Sequence, residues 1–183
     1  MGAFCVSSMF MYHVEISLCQ SCLFEILGKS FRRATARDVN ELIQIHHLVL
    51  DASAKFDRLL SRQWCLFLFN ILAVVIAITY MIIAFSVHRI LSVVAVSLFG
   101  ILCRACILGE LVQKSSLHIQ FLVYESDWVN IMSQLRRELS LVILRSQKPV
   151  YMTAGFLGNL DLPKVTSIVK NWYKTVQALL KTL

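Results

Sequence analysis

The residues in this chain best able to do chemistry are its thiols and imidazoles. The six cysteines include two C-x-x-C pairs, Cys19/Cys22 and Cys103/Cys106. On a helix that spacing puts each pair on one face, as a zinc site or a redox dithiol would require. Their setting argues against both uses. Each pair sits in apolar helical sequence near an expected cytoplasmic end, where thiols stay reduced, and only Arg104 stands close enough in sequence to lower a thiol pKa. Cysteine also packs between helices as a small hydrophobe. His46 and His47 are adjacent, so on a helix they point about 100° apart and share one metal poorly. Gly-rich phosphate loops, Walker-type lysines and Ser/His/Asp constellations do not stand out. The reading is therefore of a non-enzyme without metal or cofactor. A small membrane dithiol oxidoreductase using the C-x-x-C pairs is the alternative from a different class.

The elements that would carry such residues are membrane helices. More than half the residues are apolar and few are charged, too greasy a balance for a soluble domain of this length. Trp64 to Phe85 contains no charge and would span about 33 Å as a helix, the thickness of a hydrocarbon core. Ile90 to Val112 follows after only "SVHR", which predicts an antiparallel hairpin. Its Arg104 and Glu110 lie toward the C-terminal end, within reach of headgroups or a protein neighbour. The first 28 residues form a third, diluted candidate carrying His13, Glu15 and Glu25. They lack the basic n-region and cleavage site of a signal peptide, and Val6 breaks the myristoylation pattern.

The basic residues have an address. Lys29, Arg32, Arg33, Arg37, Lys55, Arg58 and Arg62 precede the first clear span, and Lys114, Arg136, Arg137, Arg145 and Lys148 follow the second, while the hairpin tip holds Arg89. By the positive-inside rule both flanks are cytoplasmic. The net charge thus sets topology and does not point to nucleic acid. Leu42, Ile45, Val49, Ala52 and Phe56 trace an apolar stripe on one cytoplasmic helix. Trp128, Ile131, Leu135, Leu139, Val142 and Leu144 do so on another, which must end before Pro149. The two stripes would either contact other subunits or cover each other. Beyond Pro149, Gly155 and Gly158 permit turns, Asp161 can cap a last helix, and Pro163 is tolerated in its first turn.

The resulting expectation is an all-α, polytopic membrane helix bundle with cytoplasmic helical extensions. Its parts are a membrane helix over 1–28, a cytoplasmic helix over 29–63, a two-helix membrane hairpin over 64–113, a cytoplasmic helix and connector over 114–153, and a final membrane helix over 154–183.

Several motifs in order then resemble the C-terminal part of the insect odorant receptors. They are Cys106 with Gly109, then Ser115, then Tyr124, Ser126 and Trp128, then Arg145, Ser146, Gln147 and Pro149, and finally Ala154, Gly155 and Phe156. The resemblance covers most of the chain from about Leu42, and more loosely the first helix. It implies spans four to seven of a seven-span protein with its C-terminus outside, in a sensory-neuron plasma membrane. It also implies an odorant-gated cation channel, assembled as a tetramer with a common co-receptor subunit and opened by a small volatile apolar ligand. With spans four to seven alone, the sequence reads as a truncated copy or partial gene. A gustatory receptor of the same superfamily is the close alternative, although the last helix has Trp172-Tyr173 and no Gln-Phe.

By the same resemblance the last helix lines the pore. Aligning Tyr173 with the family's tyrosine places Tyr173, Val176, Leu179 and Leu180 at the conduit. Met9 and Tyr12 on the first helix, and Val96 and Phe99 on the third, become candidate odorant contacts. Lys170 and Lys174 lie mid-helix, where lipid exposure is costly, so they are expected to face a lumen, a side opening or a partner.

Overall fold

The computed structural model describes residues 2–35, 37–85, 89–126 and 133–182. The side chains of residues 2–10, 85, 89–91, 133, 134, 180 and 182 lie outside that description. Trp128 and Ile131 of the second expected stripe likewise lie outside the described residues.

Five helices account for most of the described chain: α1 Gly2–Arg33, α2 Val39–Phe85, α3 Arg89–Tyr124, α4 Ser133–Ser146 and α5 Leu162–Thr182. The chain is an all-α membrane helix bundle. No proline or glycine interrupts residues 39–85, so nothing breaks helical continuity between the charged and apolar halves of α2. It runs unbroken for 47 residues, about 70 Å at the α-helical rise. α2 and α3 are each apolar and long enough to cross a bilayer, and only 22% of each apolar window is buried within the chain. The core helix of a soluble protein would bury most of that window.

The helices divide between two compact units. Unit 1 comprises residues 1–58 and 111–152, and unit 2 comprises 59–110 and 153–183.

In unit 1 the apolar core is formed by Phe24, Phe31, Val39, Ile119, Val123, Leu139 and Val142, each 2% exposed or less. Gly28 lies against Leu122, leaving little room for a side chain there. Polar side chains are buried alongside. Ser17 Oγ donates to the His13 carbonyl at 2.7 Å, the Ser21 and Ser115 hydroxyls lie 2.6 Å apart, and Ser116 Oγ accepts from the Val150 N–H at 2.9 Å. Such pairing is what permits burial, since a lone buried hydroxyl is costly. The buried line on this half of α2 is Val39, His46 and Ser53. The stripe expected to pack is more open, with Ile45 and Phe56 both exposed. α4 ends at Ser146, three residues before Pro149, and Arg145 Nη1 donates to the Lys148 carbonyl at 3.1 Å beyond its last turn.

In unit 2 the buried positions Trp64, Leu68, Ile71, Val75 and Ile78 recur at three- and four-residue spacing along α2, and Leu102, Ala105 and Cys106 are buried on α3. A compact connector leads into α5. Thr153 and Asn159 form an isolated antiparallel bridge, and the Ala154 N–H donates to the Gly158 carbonyl at 2.8 Å. Gly155 and Gly158 adopt φ of 52° and 85°, the left-handed region that glycine enters without penalty. A Cβ on Gly155 would also come within 3.2 Å of Cys65 Cβ. Asp161 Oδ1 accepts from the Lys164 N–H at 3.0 Å, an N-cap bond to the third helical residue, with Pro163 in the first turn as the sequence predicts.

Candidate functional site

The site is built on three helices of unit 2. Trp172 of α5 donates its indole N–H to Thr79 Oγ1 of α2 at 3.2 Å. Thr79 in turn donates to the Val75 carbonyl one turn back, at 2.7 Å. These bonds fix the indole as a wall between two neighbouring cavities. The first, about 280 Å³, is lined by Val75, Ala95, Val96, Phe99, Val169 and Trp172. No ionisable group lines it. The second, about 240 Å³, shares Val75, Phe99 and Trp172 and adds Lys164, Asn171 and Thr175. Each has room for a small molecule of a few heavy atoms, near the lower end of ligand-pocket sizes. Trp172 N–H is already committed to Thr79. The first cavity therefore offers only shape and apolar contact, while the second adds the Lys164 ammonium and the Asn171 amide to its lining.

The expected ligand contacts fall in different places. Val96 and Phe99 both line the apolar cavity. Tyr12 is 66% exposed on α1 in unit 1, and the side chain of Met9 lies outside the described residues. Of the expected pore positions, Tyr173 is exposed and Val176 and Leu179 are half-buried, while the side chain of Leu180 is outside the description. At about 100° per residue Tyr173 and Val176 lie about 60° apart in register, and Leu179 lies about 120° from Tyr173 on the flank of Trp172. Lys170 and Lys174 sit to the other side of Tyr173 and are exposed. Trp172, Val75 and Val169 had no signal in the sequence beyond apolar character. The Trp172–Thr79 bond joins residues 93 apart, and no local spacing rule foresees it.

The cysteine pairs differ. Cys19 and Cys22 are exposed, Cys103 is half-buried and Cys106 is buried, all as free thiols. Among the described residues no three His, Cys, Asp or Glu side chains are grouped to hold a metal. The motif glycine beside Cys106 has a packing role. A Cβ on Gly109 would collide with the Leu160 carbonyl, so this α3 position must stay bare for the connector to α5 to pass. Glu110 Oε2 accepts from the Leu162 N–H at 3.4 Å.

The sequence matches the family model described as 7tm odorant receptor over residues 1–173. The chain is a member of the odorant receptor family. That is a family of multi-pass membrane receptors and not a class of enzymes. None of the curated proteins matches this odorant receptor's sequence. Among solved structures it is similar to the insect olfactory receptor OR5 from Machilis hrabei in complex with eugenol, with a TM-score of 0.74 at 18% identity. The alignment covers 95% of this receptor chain and 46% of that one. At that identity the likeness is one of fold. The chain spans about half the length of the receptor it matches.

Proposed function

We propose that this odorant receptor chain works in an odorant-gated cation channel of a sensory-neuron plasma membrane, together with a co-receptor subunit in a tetramer. The family match over nearly the whole chain carries this reading. In it, the helix over 1–28 runs inward, 64–85 outward, 90–112 inward and the final helix over 154–183 outward, leaving the C-terminus extracellular. Segments 29–63 and 114–153 are then cytosolic. The clustering of basic residues beyond the span ends supports that orientation, and α2 and α3, being longer than the hydrocarbon layer, must project beyond it.

The apolar cavity is the place where a small volatile ligand meets the helix assigned to the pore. A ligand seated against Val96 and Phe99 touches Trp172, and Trp172 belongs to α5. Occupancy that favours one position of α5 over another is the differential binding that gating requires. Tyr173, Val176 and, by spacing, Leu180 share the flank assigned to the conduit. Lys170 and Lys174 stand off that flank, facing a side opening or a neighbouring subunit, where their charge would not repel the permeant cation.

Voltage clamp of cells expressing the chain with its co-receptor, with and without a segment supplying three preceding spans from a related receptor, tests this. Odorant-evoked cation current is expected in the supplemented arm. There, Phe99→Ala should shift the odorant concentration dependence, and Val176→Ala the conductance. If current responds to odorant identically with Phe99→Ala and Val96→Ala, the cavity is not the ligand site.

A further inference from the structure

A groove of about 440 Å³ opens in unit 1 between α1 and α3. Its walls carry Lys29 and Arg32 of α1 and Lys114, Ser115 and His118 of α3, with Glu25 as the acid and Phe24 and Leu122 as the apolar floor. In a chain this apolar, three basic side chains and an imidazole converging on one groove are a concentration of donors that packing does not require. Lys29 follows the expected membrane helix over 1–28 and Lys114 the expected span over 90–112, so in the proposed orientation the groove lies at the depth of the cytoplasmic headgroups.

We infer that this groove binds a phosphate-bearing anion, with the phosphorylated headgroup of an inner-leaflet inositol lipid as its natural source. The assignment of leaflet rests on the orientation proposed above.

Lys29 and Arg32 are held loosely enough to be recruited. Lys29 pairs with Glu25 at 2.6 Å and Arg32 with Glu125 at 3.5 Å, and every partner is more than half exposed. Exposed pairs of this kind contribute little net stability, so an anion carrying more than one charge displaces them readily. Arg32 can present two N–H groups to a phosphate in a fixed fork, while Lys29 and Lys114 act as point charges. Ser115 Oγ already donates its one O–H to the Leu111 carbonyl at 2.8 Å and lies 2.6 Å from Ser21 Oγ, so the contacts to the anion fall to Lys29, Arg32 and Lys114. Basic pockets between membrane helices on the cytoplasmic side recognise phosphorylated headgroups in this way.

The test uses the full chain purified in detergent and a fluorescent short-chain phosphatidylinositol bisphosphate, with short-chain phosphatidylcholine as the neutral control. Saturable binding is expected for the bisphosphate and none for phosphatidylcholine. Replacing Lys29, Arg32 and Lys114 together by Gln should weaken it at least tenfold. The same three-charge removal at Lys55, Arg58 and Arg62 should leave it within twofold. Glu25→Gln, which removes the competing acid, should tighten it severalfold, a change that a misfolded variant cannot mimic. Equal losses in both triple variants, or no change with Glu25→Gln, would overturn the site. Competition by soluble inositol trisphosphate as strong as by the lipid assigns the groove to free phosphate esters, and weaker competition assigns it to lipid. Binding in detergent does not depend on orientation. If the site binds but Lys114→Cys, in a chain whose native cysteines are replaced by Ser, is labelled only from the cell exterior, the orientation is wrong and the groove stands.

Discussion

The two units of the chain each take part of α2 and α3, yet they are built by different chemistry. Among the described residues, every buried polar side chain lies in unit 1: His13, Ser17, Gln20, Ser21, His46, Ser53, Ser116 and Ser146. Unit 2 buries only apolar side chains, with Trp64, Leu68, Ile71, Leu102, Ala105, Cys106 and Leu160 among them. The exposed ion pairs Lys29–Glu25, Arg32–Glu125 and Lys55–Asp51 also belong to unit 1. The contrast teaches how each part is held. Lipid gives apolar helices no hydrophobic reason to associate, so unit 2 depends on close fit at small residues such as Ala105, Gly109 and Ala154. Unit 1 combines apolar burial with paired hydroxyls, and four of its buried polar side chains, His13, Ser17, Gln20 and Ser21, lie on α1.

The largest expected effect breaks the fit of unit 2. Gly109→Val should destabilise it by about 3 kcal/mol, because the new side chain meets the Leu160 backbone, which cannot rotate away. Gly100, on the same helix, has nothing within 4 Å of a prospective Cβ. Gly100→Ala should therefore hold or gain stability, by about 0.5–1 kcal/mol. Thermal unfolding of both variants in detergent measures the difference; equal behaviour would mean that helix fit does not hold this unit.

A second effect of similar size belongs to unit 1. His46 is 1% exposed, with Nε2 3.4 Å from Ser146 Oγ and its ring edge-to-face with Phe31. Burial, reinforced by the nearby charges of His47 and Arg145, pushes its pKa down from 6.5 to about 4. The unfolded chain therefore takes up the proton first. The stability is fully present above about pH 6.5 and is lost as the pH falls to about 4, of order 3 kcal/mol in all. Hydrogen exchange resolved by segment should show unit 1 loosening over that range, and His46→Leu should flatten the response. A response of equal size in segments of unit 2 would contradict the contrast between the units.

A smaller effect concerns the start of α5. Asp161→Ala should cost about 1 kcal/mol, while Asp161→Asn, an equally good cap, should stay close to wild type. The helicity of α5 by hydrogen exchange reads it. The smallest effect is at the surface. Lys55→Gln removes the pair with Asp51 at 2.7 Å and should change the unfolding free energy by less than about 0.5 kcal/mol. A larger loss would show that unit 1 depends on its surface charges as well as its buried hydroxyls.

Much of the punctuation was legible. Gly155 and Gly158 as turn residues, Asp161 as a cap, Pro163 in a first turn and the end of α4 before Pro149 all follow from backbone rules that act over a few residues. The family resemblance was likewise carried by short motifs in order, and the family match agrees with it. The buried line of α2 was not legible. His46 and Ser53 lie in line with Val39 at seven-residue spacing, but polar side chains give no hydrophobic signal. His46 is met by Ser146 and Phe31, which arrive from other helices.

The sequence by itself determined that the chain is helical and that two of its stretches suit a bilayer, because those properties follow from local propensity and composition, whereas the full lengths of α2 and α3 came from the structure. Only the tertiary structure decided that Gly109 must be bare, that Trp172 bonds to Thr79 and walls an apolar cavity with Val96 and Phe99, and that Lys29, Arg32 and Lys114 share one groove. Each of those facts joins residues far apart in the chain, and helical periodicity fixes which face a residue occupies without naming what comes to meet it.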